Sequence, residues 1–106
     1  MSALFIVRAE VPEADRAAFD HWYETEHLPD AMAHFGCNRA RRGWSELDPG
    51  VHVAAYDFPD AEKAKALLAG DASPEIKAMI AEFDRVWQGR VKRTRELVIL
   101  AQSLEG

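Results

Sequence analysis

The stretch "FDHWYETEHLP", Phe19 to Pro29, gathers two histidines, two glutamates and an aspartate beside a tryptophan and a tyrosine. Its apolar positions repeat with the period of an amphipathic helix, so some of these polar groups face a core and others face water. Taking about 100° of rotation per residue and Phe19 as origin, Asp15, Trp22, Tyr23 and Glu26 fall within roughly 60° of Phe19, on the buried side. His27 lies about 80° away, at the border, while Asp20, His21 and Glu24 lie roughly 100° to 200° away and belong to water. The inward polar set is therefore Tyr23, Glu26 and His27.

Such a set permits two arrangements. A glutamate on a buried stripe costs free energy unless it is paired or opens onto a cavity. An arginine from a sheet, with Arg8, Arg39, Arg41, Arg93 and Arg95 as candidates, would make it a structural ion pair. Alternatively, Tyr23, Glu26 and His27 line a cavity. There His27, whose ordinary pKa is near neutrality, would act as a general acid or base. Tyr23, one helical turn earlier, would hold a carbonyl or phenol oxygen.

The elements that must position these residues are readable along the chain. "ALFIVRAEV", Ala3 to Val11, is apolar on both parities and reads as a central strand covered on both faces. A helix from Pro12 to about His27 follows. Pro29 disfavours the helical region for Leu28, so a break is expected there, with a short second piece to about His34 and a left-handed stop at Gly36. Cys37 to Leu47 reads as a strand, "DPG" as a turn, and Val51 to Phe58 as a second strand pairing with the first. Pro59 to Gly70 is a helix capped by Asp60, and a further helix starts at Ser73-Pro74. Ile76, Met79, Ile80, Phe83, Val86 and Trp87 keep its apolar stripe. Val91 to Gln102 is the last strand.

The order β-α-β-β-α-β with short connections predicts an α+β, ferredoxin-like fold: one domain over residues 1–106, a four-stranded antiparallel sheet and the helices on one face. The other face is then bare. Its alternate positions are too apolar for water, so a second copy of the chain is the expected cover. His52 and Tyr56 share one face of the third strand, and whether that face meets the helices is open. If it does, they join Trp22, Phe83 and Trp87 around the cavity; for Trp87 plain core packing is the preferred reading, as for most helix-stripe aromatics.

Composition excludes several classes. The formal net charge is −5, and no basic tract exceeds Arg41-Arg42, so nucleic acid is not an expected partner. The apolar start is too short to span a membrane and has no features of a signal peptide, so a cytoplasmic location is expected. Cys37 is the only cysteine, which leaves no disulfide framework and no thiolate zinc site; it reads as a small buried hydrophobe. His27 and His34 are seven residues apart across the expected break, without a carboxylate triad, so no tight metal site is expected. No glycine-rich phosphate loop is present, and no serine has a His-Asp context.

The segment "FDHWYETEHLPDAM" resembles the signature of the dimeric α/β-barrel superfamily, in its EthD-like branch. Trp22, Tyr23, Glu26, His27, Leu28 and Pro29 match the aromatic pair, Glu-His, hydrophobic residue and proline that end the first helix there. "GCNRARRGW" resembles the second strand, "VAAYDF" the third, with Tyr56 at a position often held by tyrosine, and "SPEI" the restart of the second helix. The resemblance implies sheets paired face to face in a homodimer and a pocket between the helices and sheet of each subunit. That superfamily hosts monooxygenases, cyclases, lactone isomerases, haem degraders and proteins without known activity, so the fold does not select among them. Haem ligation by a histidine at the position of His27 has precedent in distant members, and nothing in this sequence selects it. What it implies for this chain is a cofactor-independent isomerase, cyclase or monooxygenase acting on a small aromatic or lactone-like compound, or a non-catalytic ligand-binding or accessory dimer.

Overall fold

The computed structural model describes all residues, Met1–Gly106. Strands β1 (Ala3–Glu10), β2 (Arg39–Trp44), β3 (Val51–Phe58) and β4 (Lys92–Ile99) form one antiparallel sheet in the order β2-β3-β1-β4. The two longest apolar strands take the centre, where both edges are paired and both faces have cover to gain. Register sorts the faces. Phe5 lies opposite Tyr56 and Leu97, and Ala9 opposite His52 and Arg93. On β2, Ala40 faces Tyr56 and Trp44 faces His52. All of these stand on the helix-covered side.

The helices are α1 (Arg16–Trp22), α2 (Leu28–His34), α3 (Ala61–Leu68) and α4 (Pro74–Trp87), and the short turn Glu13–Asp15 leads into α1. Asp60 caps α3 by accepting from the Glu62 N–H, and Ser73 caps α4 by accepting from the Ile76 N–H at 3.3 Å. Ile76, Met79, Phe83 and Trp87 are buried along α4. Gly36 stops the first helical region at φ +84°, as expected for a left-handed cap. The strands are shorter than read from the sequence: β2 begins at Arg39 rather than Cys37 and ends at Trp44, and β4 spans Lys92–Ile99. Cys37 is only half-buried, its thiol 4.0 Å from the Met32 sulfur, rather than a core residue.

The expected break at Leu28-Pro29 does not occur. Leu28 has helical φ and ψ of −66° and −44°, and Pro29 sits in the first turn of α2. Between α1 and α2 lies a single π turn, Tyr23–His27, in which the Leu28 N–H donates to the Tyr23 carbonyl five residues back. Proline is excluded from helix interiors because its ring meets the carbonyl four residues earlier and it has no N–H to give. A widened turn just before it slackens that crowding and alters the hydrogen-bond pattern, so the helical path continues through Pro29. Thr25 adds to the local pattern by donating its hydroxyl to the His21 carbonyl at 2.8 Å.

The face of the sheet away from the helices carries Leu4, Ile6, Val53, Ala55 and Val98, all half-exposed, among Arg8, Arg41 and Thr94. It has no helical cover.

Two substitutions check this account by urea unfolding. Ser73→Ala is expected to lower stability by about 1 kcal/mol through loss of the α4 cap. Gly36→Ala is expected to lower it by about 1 kcal/mol or more, because the new side chain must adopt a left-handed backbone.

Candidate functional site

The π turn decides which side chains face inward. Closing the turn five residues back instead of four delays every later side chain by roughly 100°. His27 therefore moves from the border to the interior, at 8% exposure. Glu26 moves out. It is exposed and forms no ion pair, so neither the expected buried glutamate nor its arginine partner exists. Tyr23, before the turn has opened, stays inward as expected. His21 and Glu24 are exposed, also as expected.

Asp20 departs from the expectation that it belongs to water. Its carboxylate accepts from Arg42 Nη1 and from Trp44 Nε1, each at 2.8 Å. These contacts fasten the edge strand β2 to α1, and the two hydrogen bonds hold the Asp20 carboxyl below the usual carboxylate range. Arg42 also lies 3.3 Å from His52 Nε2.

The aromatic residues form one cluster centred on Phe19, which is fully buried among Trp22, Tyr23, Trp44, His52, Phe83 and Trp87. His27 stacks on Trp22, with ring centres 4.7 Å apart and planes 21° from parallel. The indole N–H groups of Trp22 and Trp87 are buried and have no acceptor among the protein's own atoms.

A cavity of about 30 Å³ lies between the helices and the sheet. Its polar lining is Tyr23, His27, Tyr56, Arg93 and Arg95. Phe5 and Val7 form the sheet side, and Leu67, Met79 and Ile80 the helix side. This volume holds a water molecule or two and no organic ligand. Of the residues expected around a cavity, Tyr23, His27 and Tyr56 meet there. Trp22, His52, Phe83 and Trp87 are buried in the adjoining aromatic cluster and do not line it, and Glu26 is on the outer surface. Arg93 and Arg95 were legible only as arginines of the last strand; the register of β4 against β1 brings them to the helix side. Arg93 lies over the Phe83 ring, its guanidinium carbon 3.8 Å from the ring centre, a cation–π contact.

The electrostatics follow from burial. Desolvation lowers His27 to about 4, with the Arg93 charge adding to the effect. It lowers His52 to about 4 as well, helped by Arg42 and opposed by Asp20. Both imidazoles are neutral at pH 7. The hydroxyls of Tyr23 and Tyr56 are 3.4 Å apart. Burial raises the pKa of both, so each keeps its proton. One donates to the other, and the second proton is free for a ligand oxygen. No group of three or more His, Cys, Asp or Glu comes together in a way that could hold a metal ion. No helix is long and apolar enough to cross a membrane.

The sign of the resulting pH dependence is fixed. Above pH 6.5 the two histidines are neutral in both folded and unfolded chains; below it the unfolded chain binds protons first. Stability is therefore expected to fall as pH drops from 6.5 toward 4, by up to about 3 kcal/mol for each histidine. Urea midpoints across this range should show the slope in the wild type and a reduced slope in His52→Gln.

The sequence matches no family model and no curated protein. Its fold has many solved counterparts. The cofactor-independent oxygenase SnoaB of Streptomyces nogalater superposes with a TM-score of 0.72 at 16% identity, over 99% of this chain and 98% of that one. An ethyl tert-butyl ether degradation (EthD) family protein of Bacillus halodurans gives 0.65 at 19% identity, over 91% and 97%. A protein described as an antibiotic biosynthesis monooxygenase gives 0.66 at 14% identity, over 94% and 99%. At such identities the likeness speaks to architecture and leaves the chemistry to this chain's own residues. The chain has a ferredoxin-like α+β fold, which it shares with these solved structures.

Proposed function

We propose that the protein is a homodimer that binds a small aromatic or lactone-like compound between the helices and sheet of each subunit, and acts on it without a cofactor. The observation that carries this reading is the meeting of His27, Tyr23 and Tyr56 with Arg93 around a void in an otherwise apolar interior. In the reaction, the neutral His27 imidazole takes a proton from an acidic C–H or O–H of the ligand. The free tyrosine hydroxyl and the Arg93 guanidinium hold the oxygen on which negative charge develops. Formation of such an anion is a first step common to isomerisation, cyclisation and oxygenation. Glu26, facing outward, takes no part. The solved relatives include a protein described as a cofactor-independent oxygenase, which agrees with this class of chemistry.

Entry of a substrate requires the cavity to enlarge. Met79 and Ile80 on the helix side are the movable wall, methionine being unbranched and adaptable. The closed state, with His27 only 8% exposed, favours a second reading: a non-catalytic ligand-binding or accessory dimer in which the same groups grip without turning over.

A thermal-shift screen with aromatic acids, phenols and lactones separates the readings. His27→Asn, at a buried position, is expected to stay folded at a cost of about 1–3 kcal/mol, to weaken binding of any hit and to abolish its turnover. His21→Asn, on the exposed side, is expected to change neither. Equal binding and turnover in wild type and His27→Asn would remove His27 from the chemistry. If turnover occurs, its acid limb should lie near pH 4 rather than 6.5, matching the lowered His27.

Dimerisation through the bare sheet face would cover Leu4, Ile6, Val53 and Val98. Ultracentrifugation at micromolar concentration is expected to give twice the 11.9 kDa chain mass; a main species at the chain mass would defeat the proposal.

A further inference from the structure

The positive charge of the cavity has no counterpart inside it. Arg93 and Arg95 both line it, and no aspartate or glutamate does. Their opposite neighbours on β1 are Ala9 and Val7, so the sheet offers them no carboxylate. Asp84 is the one acidic group paired with Arg93, at 3.7 Å, and it is itself 74% exposed. That separation is beyond hydrogen-bonding distance. Arg95 has no ion-pair partner. The remaining polar groups add no negative charge, since Tyr23 and Tyr56 keep their protons. A guanidinium held against an apolar wall, with most of its donors unused, is completed by an anion. The local excess is opposite in sign to the formal charge of −5 on the whole chain.

We infer that the ligand is a carboxylate: a small ring compound whose carboxylate is gripped by Arg93 and Arg95 at the β4 side, with its ring against Phe5 and Val7 and its reactive carbon or oxygen toward His27. This rests on the reading of the cavity as the ligand site and narrows the class it takes. Arg95, exposed at the cavity wall, meets the carboxylate first, and Arg93, half-buried over Phe83, holds it. Planar guanidinium groups suit a planar carboxylate through paired N–H donors.

The test compares acids with their neutral amides of the same shape: benzoate against benzamide, salicylate against salicylamide, and 2-naphthoate against 2-naphthamide, by calorimetric titration. Wild type is expected to bind at least one acid tenfold or more tightly than its amide. Arg93→Gln and Arg95→Gln are each expected to reduce that acid-to-amide ratio fivefold or more, while Arg8→Gln, on the opposite face of the sheet, leaves it unchanged. Because the ratio is measured within each protein, a general loss of stability in Arg93→Gln does not mimic the result, and Arg93→Lys should restore part of it. Amides binding as tightly as acids, acids failing to bind, or an unchanged ratio in both glutamine variants would overturn the inference. Neutral phenols or lactones binding in a His27-dependent way, with no acid preference, would overturn it while leaving the proposed function standing. Acid binding that needs Arg93 but is indifferent to His27→Asn would support it and defeat the role of His27.

Discussion

One hydrogen bond, from the Leu28 N–H to the Tyr23 carbonyl five residues back, determines the interior of this protein. It makes the turn Tyr23–His27 one residue wider than an α-turn. The wider turn presents both Tyr23 and His27 to the sheet, removes Glu26 to the surface, and lets the chain run through Pro29 into α2. An ordinary α-turn would leave a carboxylate on the buried stripe and the imidazole at its border. The interior would then need an arginine to neutralise the glutamate, and the cavity would have a different charge. Single π turns occur often at functional sites, and here the geometric reason is visible: the turn chooses which of two adjacent titratable residues enters the core.

What the core does with its polar groups follows from desolvation. The two inward histidines stay neutral because charging them in an aromatic surrounding is unfavourable. The two inward tyrosines stay protonated for the same reason and share one hydrogen bond, which leaves one hydroxyl proton free. Arginine cannot shed its proton to adapt, so Arg93 remains a cation beside neutral groups, supported by the face of Phe83. The contrast with Arg42 is instructive. Arg42 is also drawn inward from a strand, but Asp20 meets it at 2.8 Å and the pair becomes a tie between β2 and α1. The two arginines differ in what faces them: one carboxylate within bonding distance makes a structural joint, and its lack leaves a cation with donors to offer.

Much of the architecture is legible in local pattern. Val51–Phe58 alternates and is bounded by turn residues, and Ser73-Pro74 opens α4 as a cap followed by a first-turn proline. Gly36 takes the left-handed stop that its place after the first helical region required. Helical period alone placed Tyr23 on the buried side. The ends of β2 and β4 were less legible, because strand ends are set by where partners stop pairing and Cys37 and Gln102 carry no local signal of that.

By itself the sequence determined the element order, the caps, the sheet's two-sided apolarity and the concentration of titratable groups between Asp20 and His27. Each depends on contacts within a few residues or on period. The tertiary structure alone decided that His27 and not Glu26 is inward, that His52 and Tyr56 meet the helices, and that Arg93 and Arg95 meet Tyr23 and His27. The first depends on a hydrogen bond that spans five residues where the ordinary helical bond spans four, and angular periodicity assumes the latter. The others depend on strand register, and shifting a strand by one residue exchanges its two faces. No property of β3 or β4 in isolation fixes that choice; it is made by pairing with β1, whose own buried face the helices select.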